Sequence, residues 1–295
     1  SIYFRYRTIN KIELANIFRM FMLPLVSLII IILIRAPSFE DIEFTTEANF
    51  QLSGGYGPNQ VSSILGLGIF IIALSKILSL KLFFNMMEYT LLGFSSILGY
   101  LTFARGGMLS AIISIMTIAL VAAGKKGRKT LRAGKIFYII AMLIIFWNIG
   151  VNFSEGMMQD RYRSLFEISD TGNLSGSGRI VIMLIDLEIF YDNIFFGVGP
   201  GQANQLRKDY GYGKLVTAHS EFTRLLSEHG LLGLLSILCI IVMTLIDFRK
   251  RNTEEKCIQL GMALLALLTM SHSAMRLAMP GFIFGLAFIR IRKLN

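Results

Sequence analysis

The stretch from position 197 to position 233, GVGPGQANQLRKDYGYGKLVTAHSEFTRLLSEHGLLG, holds the side chains of this chain that are best suited to chemistry. His219 precedes a run that reads as a helix, and Thr217 and Ser220 are both plausible N-caps for it. The start of a helix carries a partial positive charge, which favours an anion and keeps a neighbouring imidazole neutral. His219 is therefore a candidate general base beside an anionic ligand. The alternative reading is a histidine that lies at a membrane interface and takes no part in chemistry.

The segment GVGPG at positions 197–201 is predicted to be a turn, because three glycines and a proline cannot continue a helix. Such a turn can bring backbone N–H groups up to a phosphate, which makes Gly199 and Gly201 candidate loop-positioning residues. The segment lacks the lysine and the strand–turn–helix setting of a nucleotide-binding P-loop.

Arginine is frequent where apolar runs end on the predicted outer side of the membrane. Guanidinium groups bind phosphate oxygens through paired hydrogen bonds and stay charged at any working pH, so an anionic ligand would explain this excess. Asn59 and Gln60 are polar groups at the outer end of another run. The cations concerned are Arg35, Arg105, Arg161, Arg163, Arg179, Arg207, Lys208, Lys214, Arg224 and Arg276.

Two of these arginines differ in how well a structural role explains them. Arg224 lies at helical spacing from Glu221 and Glu228, and ion pairs at such spacing are common and worth only ~0.3–0.5 kcal/mol. An ion pair on one helix therefore explains Arg224 and Glu221 as well as phosphate binding or proton transfer does. Arg179 begins another predicted helix, where a cation opposes the helix dipole. That mismatch makes a ligand role for Arg179 more plausible.

Composition identifies an integral membrane protein. Of the 295 residues, 54% are hydrophobic and 16% are charged, and the mean hydropathy is +0.62, whereas soluble domains have about 25% charged residues. Apolar runs of about 15–20 residues fit helices that cross ~30 Å of hydrocarbon. The net charge of +10 comes from basic residues in short loops, as the positive-inside rule expects, so a nucleic-acid partner is not predicted. The expected fold class is all-α, a polytopic membrane helix bundle.

We predict eight spans with both termini in the cytoplasm, forming a single transmembrane domain over 1–295. The segment 152–228 would be a long periplasmic loop with a helix at 180–196 in the outer interface, because its three carboxylates would each cost roughly 2.5–3.5 kcal/mol at bilayer depth. Glu88, near the cytoplasmic end of the third span, is expected to reach water. The predicted spans are 17–34, 61–77, 86–103, 108–123, 136–151, 229–246, 257–271 and 277–289.

Four stretches resemble the O-antigen ligase and Wzy-type polysaccharide polymerase superfamily: GGYGPNQVSSILGLG (54–68), TFARGGMLSAII (102–113), SGRIVIMLIDLEIFYDNIFFGVGPGQ (177–202) and AHSEFTRLLSEHGLLGLL (218–235). The resemblance implies an inverting glycosyltransferase in the bacterial inner membrane, with its active site facing the periplasm. It would take a glycan from undecaprenyl diphosphate and pass it to a growing polysaccharide, lipid A-core or a protein, without a metal or other cofactor. Many members have ten or more spans, so N-terminal helices are expected to be missing here.

The resemblance also assigns roles to residues. His219 and Arg179 would be catalytic, and Arg105, Arg224 and Arg163 would bind the diphosphate. Residues expected to position the acceptor or the loop are Glu221, Gly199, Gly201 and Asn59. The chain departs from the usual pattern at Ser220, where many members have Asn, and at Ala104, where a small hydroxyl residue is usual. A transporter or flippase of lipid-linked sugars is the competing class, but internal repeats and midplane charges typical of transporters are not seen.

Overall fold

The computed structural model describes residues 2–37, 50–102, 104–123, scattered positions between 141 and 152, and then 178–212, 215, 217–246, 248–272 and 277–292. These residues are predominantly α-helical, with only two short strands, which confirms the predicted helical class. The helices are α1 (Ile2–Arg5), α2 (Lys11–Arg35), α3 (Pro58–Leu78), α4 (Asn85–Leu101), α5 (Arg105–Ala123), α6 (Gly178–Asp192), α7 (Ala203–Arg207), α8 (Glu221–Ile246), α9 (Thr253–His272) and α10 (Met279–Leu286).

Four of the described helices are long and apolar enough to cross a membrane: Lys11–Arg35, Pro58–Leu78, Arg105–Ala122 and Glu221–Lys250. They coincide with the first, second, fourth and sixth predicted spans. The third and seventh predicted spans are the helices α4 and α9. At the eighth, α10 has only 8 residues and would extend about 12 Å, too little to cross the hydrocarbon alone. The fifth lies mostly outside the described residues, so the count of eight spans stays a prediction.

The chain divides into two compact units. The first comprises Ser1–Arg163, Arg251–Leu267 and Met279–Asn295, and the second comprises Ser164–Lys250 and Leu268–Ala278. The first unit therefore contains α1 to α5, most of α9 and α10. The second contains α6, α7 and α8, together with the polar stretch around His219. The single transmembrane domain over 1–295 and the periplasmic placement of 152–228 stay predictions.

Helices α3 and α5 cross with their backbones in contact in the first unit. A Cβ atom at Gly66 would lie 2.5 Å from the carbonyl oxygen of Gly107, and one at Gly107 would lie 2.3 Å from the backbone of Ser62. The Ser62 hydroxyl also donates a hydrogen bond to the Ala104 carbonyl over 2.6 Å. Residues 62 and 66 thus face 104 and 107 in the same order, so the two helices are parallel and begin at the same end of the unit.

The opposite end of the first unit is rich in basic side chains that bind backbone carbonyls. Arg19 Nε donates to Leu82 O over 2.6 Å, and Arg251 donates to the carbonyls of Phe288 and Ile289 just beyond α10. Two short strands, β1 (Thr8–Ile9) and β2 (Arg290–Ile291), pair in parallel beside them. Main-chain carbonyls at the helix ends thereby obtain charged donors.

Glu88 was expected to reach water, but this prediction is wrong because its side chain is buried. Its side chain is 2% exposed, accepts hydrogen bonds from the backbone N–H groups of Leu82 and Phe83, both over 3.0 Å, and forms an ion pair with Lys76. Glu88 lies in the first turn of α4, where a carboxylate is favoured by the helix dipole. The chain supplies this carboxylate with donors locally, so it is buried and satisfied.

Candidate functional site

His219 lies two residues before helix α8 in the second unit. Helix α8 begins at Glu221, so Ser220 occupies the N-cap position, and its carbonyl accepts a hydrogen bond from Arg224 N over 3.3 Å. Of the two N-cap candidates, the structure therefore selects Ser220. Ala218 and Ser220 are 4% and 1% exposed, whereas His219 between them is half-exposed. His219 thus lies partly exposed at the positive end of a helix, between two buried neighbours.

Arg224 pairs with two buried carboxylates one turn further into α8. Its Nη1 lies 2.7 Å from Glu228 Oε2, its Nε lies 3.1 Å from Glu221 Oε2, and its Nη2 pairs with the other Glu221 oxygen. Glu221 and Glu228 are 3% and 1% exposed. The ion pairs that the spacing of Glu221, Arg224 and Glu228 predicts are therefore formed. The role of Arg224 on a diphosphate stays a prediction.

A second buried ion pair lies beneath the start of α8. Arg207 in α7 and Asp186 in α6 have no exposed surface, and Arg207 Nε lies 2.7 Å from Asp186 Oδ1. Thr223 in α8 donates to the other carboxylate oxygen over 2.9 Å. Burial raises the pKa of Asp186 above its ordinary value, and the Arg207 guanidinium acts against this rise. Arg207 is therefore part of the core, which corrects its placement among the surface arginines.

The Asp186–Arg207 pair is a feature that sequence reasoning missed. The sequence contained one indication of this pair, namely that Asp186 lies inside a mostly apolar helix. It shares one face of that helix with Arg179 and Asn193, because the three are spaced by seven residues. Because a buried charge requires a partner, such an aspartate predicts a cation from elsewhere in the chain. Near the end of the same helix, Tyr210 donates a hydrogen bond to Asp192 over 2.6 Å, and this bond raises the pKa of the tyrosine.

The predicted glycine turn is present and is attached to a break in α8. Gly230 adopts φ 58° and ψ −133°, which interrupts the helix. The Ser227 carbonyl accepts from Val198 N over 3.0 Å, and the Leu231 N–H, which would bond Ser227 in a regular helix, donates instead to Ile194 O over 2.7 Å. A Cβ atom at Gly230 would lie 2.3 Å from Ile194 O. The glycines thus permit backbone-to-backbone contact between the turn and α8.

This attachment uses amide groups that a phosphate cradle would need. The Gly199 N–H donates to the Glu228 carbonyl over 3.0 Å, and Val198 N is occupied in the same way. Gly199 and Gly201 have φ of +92° and +78°, values that favour glycine. The turn therefore has an evident structural role, namely to hold α6 and α7 against the start of α8.

The remaining predicted site residues divide between the two units. Arg179 is in the first turn of α6, but its side chain lies outside the described part of the chain, as does all of Arg163. Asn59 is in the first turn of α3 and Arg105 is the first residue of α5, so the parallel crossing brings these two to the same end of the first unit. Within the described residues, no three His, Cys, Asp or Glu side chains are grouped so that they could hold a metal ion.

The helices long enough to span a bilayer, together with the polar segment at the start of α8, define a helical membrane protein with a candidate site at one end of a span. The family model for O-antigen ligase matches residues 90–238, just over half of the chain. The chain belongs to this family, which confirms the resemblance. Neither a comparison with curated proteins nor one with solved structures finds a match. Membership implies a bacterial membrane protein for glycan transfer of the ligase or polymerase type.

Proposed function

We propose that this protein transfers a glycan from an undecaprenyl-diphosphate carrier to an acceptor, either a growing polysaccharide or lipid A-core, at the periplasmic face of the inner membrane. The observation that carries the proposal is the position of His219 within the matched region. His219 is half-exposed and precedes the start of α8, between buried neighbours that fix the backbone on both sides. This is an arrangement in which a base can be held against a substrate hydroxyl.

In the proposed reaction, His219 accepts the proton of the acceptor hydroxyl as that oxygen attacks the anomeric carbon of the donor sugar. The bond from this carbon to the diphosphate oxygen breaks, and the diphosphate leaves with the electron pair. A single displacement of this kind inverts the anomeric configuration. The arginines that the resemblance assigns would neutralise the charge that develops on the leaving group, so no metal is required: Arg105, Arg163, Arg179 and Arg224.

Glu221 suits a positioning role better than a direct one. It is 3% exposed and both of its oxygens are bound by Arg224. A carboxylate in that state has little access to a substrate proton, whereas His219 two residues earlier is half-exposed. We therefore assign proton transfer to His219, and we assign to Glu221 the task of holding Arg224 at the start of the helix.

The distribution of charge supports a periplasmic orientation for the His219 end of α8. This helix begins in the polar segment and is followed at its other end by Arg249 and Lys250. Short basic segments next to a span favour the cytoplasmic side. In the first unit, the basic end with Arg19 and Arg251 is likewise opposite to the starts of α3 and α5.

A transfer experiment with purified components tests the function. The full chain is placed in lipid vesicles with an undecaprenyl-diphosphate glycan, a glycan acceptor and a metal chelator. We expect a new glycosidic bond of inverted configuration and release of undecaprenyl diphosphate. Movement of the donor between the leaflets with no new bond would refute the proposal and support the transporter alternative.

Cysteine labelling tests the orientation separately. The background is Cys239→Ser with Cys257→Ser, since these are the two natural cysteines. Thr217→Cys and Lys250→Cys each introduce one thiol at an exposed position, before and after α8. In intact cells, a membrane-impermeant maleimide that enters the periplasm should label the first and not the second. The reverse pattern would place His219 in the cytoplasm and remove the proposed access to the substrate.

A further inference from the structure

Ile194, Phe195 and Phe196 form an exposed apolar tip between α6 and the glycine turn. Their side chains are 39%, 72% and 82% exposed, and Tyr191 just before them is 69% exposed. The segment between Asn193 and Leu206 contains no charged residue. Two largely exposed phenylalanines in a row are costly in water, and contiguous patches of this kind mark contact with a partner or a membrane.

A backbone hydrogen bond sets the height of this tip along α8. Leu231 N donates to Ile194 O over 2.7 Å. Leu231 is the first residue after the break at Gly230, and it begins the uncharged run LLGLLSILCIIVMTLI that continues to Ile246. The helical residues before the break include Glu221, Arg224 and Glu228. The tip is therefore level with the point where α8 changes from charged to apolar.

The tip also continues the exposed apolar side of α8. Ile194 adjoins Leu231, which is 42% exposed, and the exposed apolar residues that follow on α8 include Leu232, Leu235, Leu238, Ile241 and Leu245. The helix Glu221–Lys250 has the length and hydropathy of a membrane span. The tip lies beside the beginning of this apolar run, at Leu231. Acyl chains that cover the exposed side of α8 there would therefore also contact the tip.

We propose that Phe195 and Phe196 insert into the lipid leaflet at the start of α8, where acyl chains cover them. Glu188 and Asp192, on the helix that leads to the tip, limit the insertion to the boundary between headgroups and acyl chains, because carboxylates at greater depth would be costly. Aromatic side chains are well suited to this boundary.

Insertion of the tip has a consequence for the candidate site. The turn that follows the tip is bonded to the carbonyls of Ser227 and Glu228 through Val198 and Gly199. The inserted tip therefore holds the start of α8, and with it His219, at a fixed height above the acyl chains. This inference concerns position in the membrane and does not depend on the proposed transfer reaction.

Tryptophan fluorescence tests the proposal in the full chain. The sequence contains one tryptophan, Trp147, so Trp147→Phe provides a silent background. Phe196→Trp is placed in this background and reconstituted into nanodiscs whose lipids carry bromine near the headgroup end of the acyl chains. We expect blue-shifted emission and a several-fold loss of intensity compared with unbrominated lipid. Gln205→Trp, an exposed position on α7 in the same unit, is the matched control and should be quenched by iodide from solution instead.

Phe195→Trp repeats the measurement one residue away. The proposal can therefore still be tested if Phe196→Trp fails to fold. Quenching by brominated lipid at either position supports the insertion. Solvent-like emission at both positions would overturn it. Blue-shifted emission that brominated lipid does not quench would overturn it too, because it would show that protein rather than lipid covers the tip.

Discussion

Arg207 and Asp186 form an ion pair with no exposed surface, in which Nε and Nη2 of the arginine both lie 2.7 Å from the same carboxylate oxygen. The two residues are on α7 and α6, and Thr223 of α8 binds the second oxygen. Three helices thus meet at one carboxylate, directly beneath the first turn of α8. We infer that this pair determines where the start of α8, and therefore His219, is held.

Removal of one partner should therefore destabilise the protein strongly. Arg207→Met leaves the Asp186 carboxylate buried without its cation, and the expected loss in the free energy of unfolding is about 3–5 kcal/mol. Denaturant unfolding of the purified protein in detergent measures it. The matched control is the double variant Asp186→Leu with Arg207→Met, which removes both charges and should recover most of the loss. If the double variant is no more stable than Arg207→Met, the unpaired Asp186 charge is not the cause of the destabilisation.

The break at Gly230 should be more sensitive to substitution than the turn that it contacts. Gly230→Ala would place a Cβ atom 2.3 Å from Ile194 O in a backbone conformation that only glycine adopts readily, so we expect a loss of about 3 kcal/mol or more. Gly201→Ala is the control, because its Cβ atom would meet nothing within 4 Å and only the strain of a positive φ remains, about 1 kcal/mol. The free energy of unfolding is measured for both variants. Equal losses would contradict the close backbone contact between Gly230 and Ile194.

The sequence predicted the helices well, because apolar runs and glycine turns are local signals. The helix predicted over 180–196 is observed as Gly178–Asp192, and the turn follows it as expected. Helix α8 begins at Glu221, after Ser220, one of the two N-caps predicted for it. Its first two turns precede the span predicted from 229 because they are charged and are held by Arg224 and its two carboxylates. Hydropathy locates the membrane portion of such a helix but not its polar extension.

The features that escaped prediction depend on contacts between distant positions. Asp186 and Arg207 are 21 residues apart, with the glycine turn between them. Gly230 lies within a helical pattern, and its role becomes evident only when Ile194 occupies the space beside it. The burial of Glu88 is different, because its donors, the amides of Leu82 and Phe83, are only six and five residues away, and no periodicity in the sequence reveals them.

The crossing of α3 and α5 should depend on glycine at position 107. A Cβ atom there would lie 2.3 Å from the Ser62 backbone, and overpacking of this kind costs about 1–3 kcal/mol. Gly281→Ala in α10 is the control, because nothing lies within 4 Å of its Cβ position and alanine should stabilise the helix by about 0.5–1 kcal/mol. Thermal unfolding of both variants makes the comparison, and a neutral Gly107→Ala would contradict the close crossing.

The Tyr210–Asp192 hydrogen bond predicts a pH dependence at the end of α6. Because Asp192 accepts this bond, the pKa of Tyr210 is raised in the folded protein above its usual value near 10. The contribution of the bond to stability is therefore complete below about pH 10 and is lost as the pH rises through the folded pKa. The tyrosine absorbance is titrated with pH in the unchanged protein and in Tyr210→Phe, and the difference between the two curves gives the titration of the Tyr210 hydroxyl. Asp192→Asn should return the midpoint toward its usual value, and an unshifted midpoint in the unchanged protein would disprove the bond.

Two histidines on either side of the first turns of α8 provide the most direct test of the proposed catalysis. Transfer of glycan from undecaprenyl diphosphate is measured for His219→Ala and for His229→Ala, with the unfolding transition of each recorded to confirm its fold. Loss of a general base should lower the rate of His219→Ala by about 10²–10⁴-fold. His229 is also half-exposed but lies within α8, and His229→Ala should keep most of the activity. A folded His219→Ala that transfers glycan at the unchanged rate would contradict the account.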